Sequence, residues 1–183
     1  MRKNILILSM SAILGCGSAL AADDSAVTDG TLTITGEVVA PACTIATDSR
    51  SSSVAMDKVS ATKLQTLGQE SGVKKDIPIN LTDCDTTATS NAAFTFTAEA
   101  DPAVATAFKN QNTGGGAATN VAVQMYMPDG TTKIIPNTET AQDGITLAGT
   151  ADQTITFKAD YVATGRATAG TVQVMTTFHI NYY

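Results

Sequence analysis

The sequence predicts an all-β chain, a sandwich of seven or eight short strands that its own residues leave one strand short. Three observations predict it. The composition is rich in Thr, Ala, Val and Gly and has no Trp. Thr and Val favour strands, whereas Gly, Asn and Asp punctuate turns. Most recognisable segments are short and alternate apolar with polar residues, the period of a half-buried strand. Finally, Gly170 to Tyr183 reads as one long alternating strand, with no residue after it to form a partner. Val172, Val174, Phe178, Ile180 and Tyr182 share one parity; Gln173, Thr177, His179 and Asn181 share the other. A strand with a buried face needs a neighbour along each edge, or its backbone polar groups go unpaired. A second short alternating strand, Thr31 to Thr35, has no evident partner either. Together they predict that one copy completes its fold with a strand from another.

Residues 1–21 read as a targeting segment outside the fold. Arg2 and Lys3 give a positive start, Ile5 to Leu14 is an apolar stretch too short for a bilayer, and Ala19-Leu20-Ala21 is a small-x-small cleavage site. Cleavage after Ala22 would instead set bulky Leu20 where a small residue is preferred, so the mature chain is expected to begin at Ala22. No later apolar run is long enough to span a membrane. About 162 residues remain, within single-domain range. Without Arg2 and Lys3 the balance is 9 basic against 17 acidic residues, a net charge of −8. An acidic chain with no basic cluster is a poor nucleic-acid binder, and its charge keeps a secreted protein soluble.

Of three cysteines, Cys16 leaves with the leader. Cys43 and Cys84 remain, and in an exported chain such a pair reads as a disulfide. Closing a loop of about 41 residues contributes roughly 4 kcal/mol in the chain-entropy model. The competing reading makes Cys16 a lipid-modified N-terminus, since Ile13-Leu14-Gly15-Cys16 loosely resembles a lipoprotein site. Leu14 is bulky for that position, and an acylated N-terminus at Cys16 in a mass spectrum would decide for it.

The elements follow in order. A polar stretch, Asp23 to Gly30, precedes Thr31 to Thr47, which Gly36 and Pro41 interrupt. A Ser-rich turn, Asp48 to Ser53, leads into the β-like Val54-Ala55-Met56. Ser60 to Leu67 is the helical turn, with Ser60 as cap and Gly68 as stop. Asp76 to Cys84 alternates Ile77, Ile79 and Leu81, and Pro78 within it argues for an edge or a strand start. Ala92 to Ala98 places Phe94 and Phe96 on one face. Asn110 to Asn120 is a loop around Gly114-Gly115-Gly116. Val121 to Met127 alternates Val121, Val123 and Met125; Pro128-Asp129-Gly130 turns the chain, and Lys133-Ile134-Ile135 pairs back. Ile145 to Leu147 is a short run. Thr154 to Val162 sends Ile155, Phe157, Ala159 and Tyr161 inward, and the turn Ala163 to Gly170 feeds the terminal strand.

The residues assemble no catalytic, cofactor or metal motif. Gly114-Gly115-Gly116 lacks the strand–loop–helix setting and the Lys-Ser/Thr pair of a phosphate loop. His179 is the single histidine and alternates onto the face opposite Phe178 and Ile180, where a solvated or subunit-facing role is the default. Asp83 and Asp85 flank Cys84 beside a Thr-rich turn and read as a solvated strand end. Asn80-Leu81-Thr82 matches a glycosylation sequon but falls inside a strand.

Across the whole mature chain the residues resemble the major subunits of chaperone–usher fimbriae, close to the type 1 pilin family. Gly36-Glu37-Val38-Val39 followed by Ala42-Cys43 looks like the family's first strand and first cysteine. Ile79 to Asp85 looks like the segment holding the second, and Tyr161-Val162-Ala163-Thr164-Gly165 like the turn before the final strand. The ending is the most specific part. Such subunits carry a glycine fourteen residues from the C-terminus and a penultimate tyrosine; here these are Gly170 and Tyr182. Tyr183 departs from the polar residue common at the last position, and the loop around Gly114 is individual to this chain.

The resemblance implies an incomplete immunoglobulin-like sandwich lacking its final strand, completed by donor-strand complementation. It divides the chain into a signal peptide (1–21), an N-terminal donor extension (22–35) and a pilin domain (36–183). A periplasmic chaperone would first lend a strand beside the terminal strand, an outer-membrane usher would pass the subunit out, and the extension of the next copy would replace the chaperone in the fibre. Thr28, Gly30, Leu32 and Ile34 are then the donor positions, with Gly30 allowing close passage over a crowded groove. Gly170, Val172, Val174, Phe178, Ile180 and Tyr182 are the accepting ones. The implied location is the cell surface, with host contact through the assembled fibre. A minor tip adaptor or an adhesin of the same kind of fibre is the alternative, as is a secreted enzyme from another class; abundance in sheared fibres, glycan binding by a complemented monomer, and substrate turnover separate them.

Overall fold

The computed structural model describes residues 31–35, 42–87 and 89–183. They fall into two units that divide between Val38 and Val39. In the first, Thr31–Thr35 carry no regular secondary structure. The strand expected there is not formed in a single copy, because a strand exists only against a partner edge. Leu32 and Ile34 accordingly leave 83% and 84% of their surface exposed. Thr28, Gly30, the leader and Gly36 to Val39 lie outside the described residues.

The second unit is the two-sheet sandwich. Its strands are β1 (Thr44–Ile45), β2 (Lys75–Thr82), β3 (Asn91–Thr97), β4 (Phe108–Lys109), β5 (Val121–Tyr126), β6 (Lys133–Ile134), β7 (Ile145–Thr146), β8 (Gln153–Ala163) and β9 (Thr177–Tyr182). One sheet runs β1-β2-β8-β5-β4, with β6 also on β5; the other runs β7-β3-β9. Every strand pair is antiparallel. Alternation decides which side chains face inward. Ile79 and Leu81 of β2, Ile155, Phe157 and Ala159 of β8, and Val123 and Met125 of β5 meet Ala92, Phe94 and Phe96 of β3 in one buried cluster. Phe157 presents its edge to Phe94 and Phe96 at 4.9 and 5.2 Å between ring centroids, the arrangement aromatic quadrupoles favour.

Pro78 sits where its missing N–H costs nothing. β1 reaches only Leu81 and Thr82 of β2. The Asn80 N–H, two residues on and facing the same edge, donates to Ser49 Oγ at 2.8 Å, so Pro78 lies on a stretch of edge without a strand neighbour among the described residues. Cys43 and Cys84 form the expected disulfide, with Cα atoms 4.0 Å apart.

Several expectations need correction. The helical turn shrinks to a 3-10 turn over Ala61–Lys63; Ser60 Oγ accepts from the Thr62 N–H as its cap, and Gly68 follows in the left-handed region at φ 80°. A four-residue helix, α1 (Thr47–Arg50), occupies the start of the Ser-rich turn. Val54-Ala55-Met56 belongs to no ladder. β5 buries both faces rather than one, because Ala122 packs against Ala107 and Val162 on the far side.

Candidate functional site

The terminal segment was expected as one strand from Gly170 to Tyr183. Its alternation persists throughout: 172, 174, 176, 178, 180 and 182 are half-buried and the odd residues exposed. The ladder, however, covers only β9. β3 ends at Thr97, opposite Thr177, so residues 171–175 have no strand beside them among the described residues. The loop 110–118 takes that place. Thr171 N–H donates to Gly116 O (2.9 Å) and Thr171 O accepts from Ala118 N–H (3.0 Å); Gln173 O accepts from Gln111 N–H (2.8 Å). Gly170 makes this approach possible. A Cβ there would lie 2.3 Å from the Ala118 nitrogen and 2.4 Å from the Ala117 carbonyl carbon, distances no side chain tolerates.

The same geometry defines an open edge. Tyr183 and Asn91 exchange both backbone hydrogen bonds, at 2.9 and 3.0 Å. Hydrogen-bonded and non-bonded pairs alternate along an antiparallel ladder. Odd residues therefore bond inward to β3, and Phe178, Ile180 and Tyr182 turn their N–H and C=O groups outward. β9 is the last strand of its sheet. Upstream, the backbone groups of 172, 174 and 176 have no partner among the described residues. The even residues thus aim apolar side chains at the core and backbone groups at a vacant lane.

That lane is a groove of about 1250 Å³. One bank is 170–178. The other is 51–56, whose backbone groups likewise have no partner among the described residues. Ile77, Ile79, Phe96, Val123, Met125 and Tyr161 line it between the two, and its charged lining residues are Arg50 and Lys58. Such a site recognises by apolar contact and backbone pairing, and charge contributes little. Val172, Val174 and Phe178 line it. Ile180 and Tyr182 pack on the core beyond it. Burial pushes the Tyr182 phenol up from its ordinary range, so it stays protonated, and its O–H donates a hydrogen bond to Cys43 O at 3.0 Å. This ties the end of the chain to the disulfide. Burial, with the Asp57 carboxylate adding to it, raises the Tyr161 phenol as well.

His179 is exposed, as its parity required. Asn80 is engaged on both sides of its amide, donating to Asp48 Oδ2 and accepting from Thr154 Oγ1, each at 2.8 Å. Among the described residues no three His, Cys, Asp or Glu side chains gather to hold a metal ion. The 51–56 bank and the loop side chains at 110–111 had no sequence signal. The first reads as turn and strand, the second as a polar loop.

A two-sheet sandwich with an apolar lane open between unpaired edges is the architecture of a subunit that is incomplete alone. Residues 32–183 match the family described as fimbrial protein. The chain is 55% identical over 183 residues, the whole of both chains, to the fimbrial subunit ElfA of Escherichia coli K12. It shows the same identity and coverage against the laminin-binding fimbrial subunit ElfA of Escherichia coli O157:H7. Its fold matches a subunit in the structure of a chaperone–usher pilus with a TM-score of 0.63 at 18% identity, over 85% of this chain and 96% of that one. The chain belongs to the fimbrial protein family and is a structural subunit of a fimbria.

Proposed function

We propose that this subunit polymerises by donor-strand exchange: residues 22–35 of one copy enter the groove beside 171–182 of the next. The vacant lane carries the reading, since it offers unpaired backbone on both banks and apolar side chains between them. Addition of a strand to an open sheet edge satisfies both at once. The lengths agree: 171–182 spans about 36 Å and a fourteen-residue donor about 43 Å at the rise of a strand. Among the described residues of the donor, Leu32 and Ile34 are the exposed apolar side chains, and burying each contributes about 1.5–3 kcal/mol. Each copy gives one surface and receives on another. The contact is heterologous and does not close, so it propagates a filament.

The same physics describes the stage before assembly. A lone subunit exposes apolar surface and an unpaired edge, both aggregation hazards, and a periplasmic chaperone strand would cover them until the usher hands the subunit to the fibre. The disulfide suits that oxidising route. The role is structural rather than enzymatic. Laminin, named for one relative, is the first host ligand to test on assembled fibres. Cells expressing the subunit with its secretion partners test the assignment. Leu32→Asp with Ile34→Asp, or Gly30→Phe, should leave periplasmic subunit levels intact and remove fibres from electron micrographs. Normal fibres from either variant refute the donor segment.

A further inference from the structure

The accepting bank is held by two different means. Along β9 the backbone of β3 bonds every odd residue. At Thr171 the hold is loop backbone, and at Gln173 it is half side chain: Gln173 O accepts from the Gln111 N–H, while Gln173 N–H donates to Asn110 Oδ1 at 2.9 Å. At Met175 it is side chain alone. Met175 N–H donates to Gln111 Oε1 at 3.1 Å, and Met175 O accepts from Gln111 Nε2 at 3.0 Å. One primary amide thus presents the donor and acceptor that a peptide group of an adjoining strand would present. Asn110 is braced in turn, its Nδ2 donating to Ala118 O at 3.0 Å.

We propose that Gln111 is the positioning residue for the Met175 stretch of the bank, next to the Gln173 stretch that Asn110 helps to hold, and that an incoming strand seats over 174–176 only while the Gln111 side chain holds Met175. The proposal rests on the strand-accepting reading of the groove. Residues 172, 174 and 176 can offer their N–H and C=O groups to an incoming strand in register only if 171, 173 and 175 are held from behind. A rotatable, solvent-exposed side chain releases more readily than a ladder, because its rotamer freedom is regained on letting go. The groove therefore has a ladder-held half, 177–182, and a releasable stretch around Met175, 174–176.

The test uses the full mature chain carrying Leu32→Asp and Ile34→Asp, which removes its own apolar donor residues, and a synthetic peptide of residues 22–35 as probe. Amide hydrogen exchange is read with and without peptide, with Gln111 present and in Gln111→Ala and Gln111→Met; the second keeps the side chain's length without its amide. In both variants, without peptide, the Met175 amide should exchange about tenfold faster, the loss of two modest hydrogen bonds. His179 and Asn181, held by β3, should not change. Peptide should then protect 178, 180 and 182 as before, and 172 as before because Thr171 is held by loop backbone, but lose its protection of 174 and 176, which flank Met175. Unchanged exchange at Met175 in both variants overturns the proposal. So does equal peptide protection along the whole bank, or loosening spread evenly over the odd residues of 171–183. If peptide protects no even-numbered amide when Gln111 is present, the strand-accepting reading itself fails, a result separable from any effect of Gln111.

Discussion

Gly170 shows how one atom can govern a site. The end of the chain turns into the groove wall by passing within contact of the Ala117–Ala118 backbone, and a Cβ would collide with main-chain atoms on both residues. Main chain cannot rotate away as a side-chain tip can. Gly170→Val should therefore cost about 1–3 kcal/mol through forced displacement of the 116–118 loop, read as a lower urea midpoint with the slope unchanged. Its position at the head of the alternating run was readable from the residues; the reason for it was not, because nothing in the sequence says that 117 and 118 lie beneath. Gln111 was unreadable altogether. An exposed amide in a polar loop carries no periodicity, and its partner, Met175, is 64 positions away. Tyr182 lies between these cases: its parity put it on the apolar face, whereas its bond to Cys43 O exists only once the two ends of the chain are packed together.

At the scale of elements, alternation placed the interior faces of β2, β3 and β8 correctly, since a half-buried strand must repeat every two residues. It failed wherever burial came from both sides. Gln124 and Asp160 fall on the parity opposite the inward-facing residues of their strands, yet both are fully buried. Asp160 accepts from the Ser71 hydroxyl and, at 2.9 Å, from the Gly72 N–H, and Gln124 Nε2 donates to Met125 O and Ile134 O. Polar residues satisfied in this way are indistinguishable in sequence from exposed ones. The elements nearest the groove also depend on the Cys43–Cys84 link, which fixes β1 to the end of β2. Replacing both cysteines, Cys43→Ser with Cys84→Ser, should lower the unfolding free energy of the donor-complemented subunit by roughly 4 kcal/mol, the loop-closure contribution of this span. The comparison is an urea titration against the unaltered chain, and an unchanged midpoint would count against the entropic account.

For the molecule as a whole, the consequence of an open lane is that stability depends on what occupies it. A ligand that binds only the folded chain stabilises it by mass action, about 2.7 kcal/mol at a hundredfold excess over its dissociation constant. The 22–35 peptide should accordingly raise the melting temperature of the Leu32→Asp, Ile34→Asp subunit in proportion to the logarithm of its concentration. The same peptide with aspartate at 32 and 34 should leave it unmoved. A melting temperature independent of peptide would mean that the chain is already complete.

The linear chain settled what is local or periodic: an all-β class, the inward parity of its strands, the paired cysteines, and two alternating segments near opposite ends. Those are properties of residue type and spacing, and they survive without knowledge of neighbours. Contacts between residues far apart in the chain settled the rest. They ended the β3 ladder at Thr97 and left residues 171–175 to the backbone and two side chains of a loop. They set 51–56 as the second bank and buried the polar groups of Gln124 and Asp160 on the parity opposite the core. Such contacts are selected by packing and hydrogen-bond closure over the entire domain, and no window of sequence contains both partners.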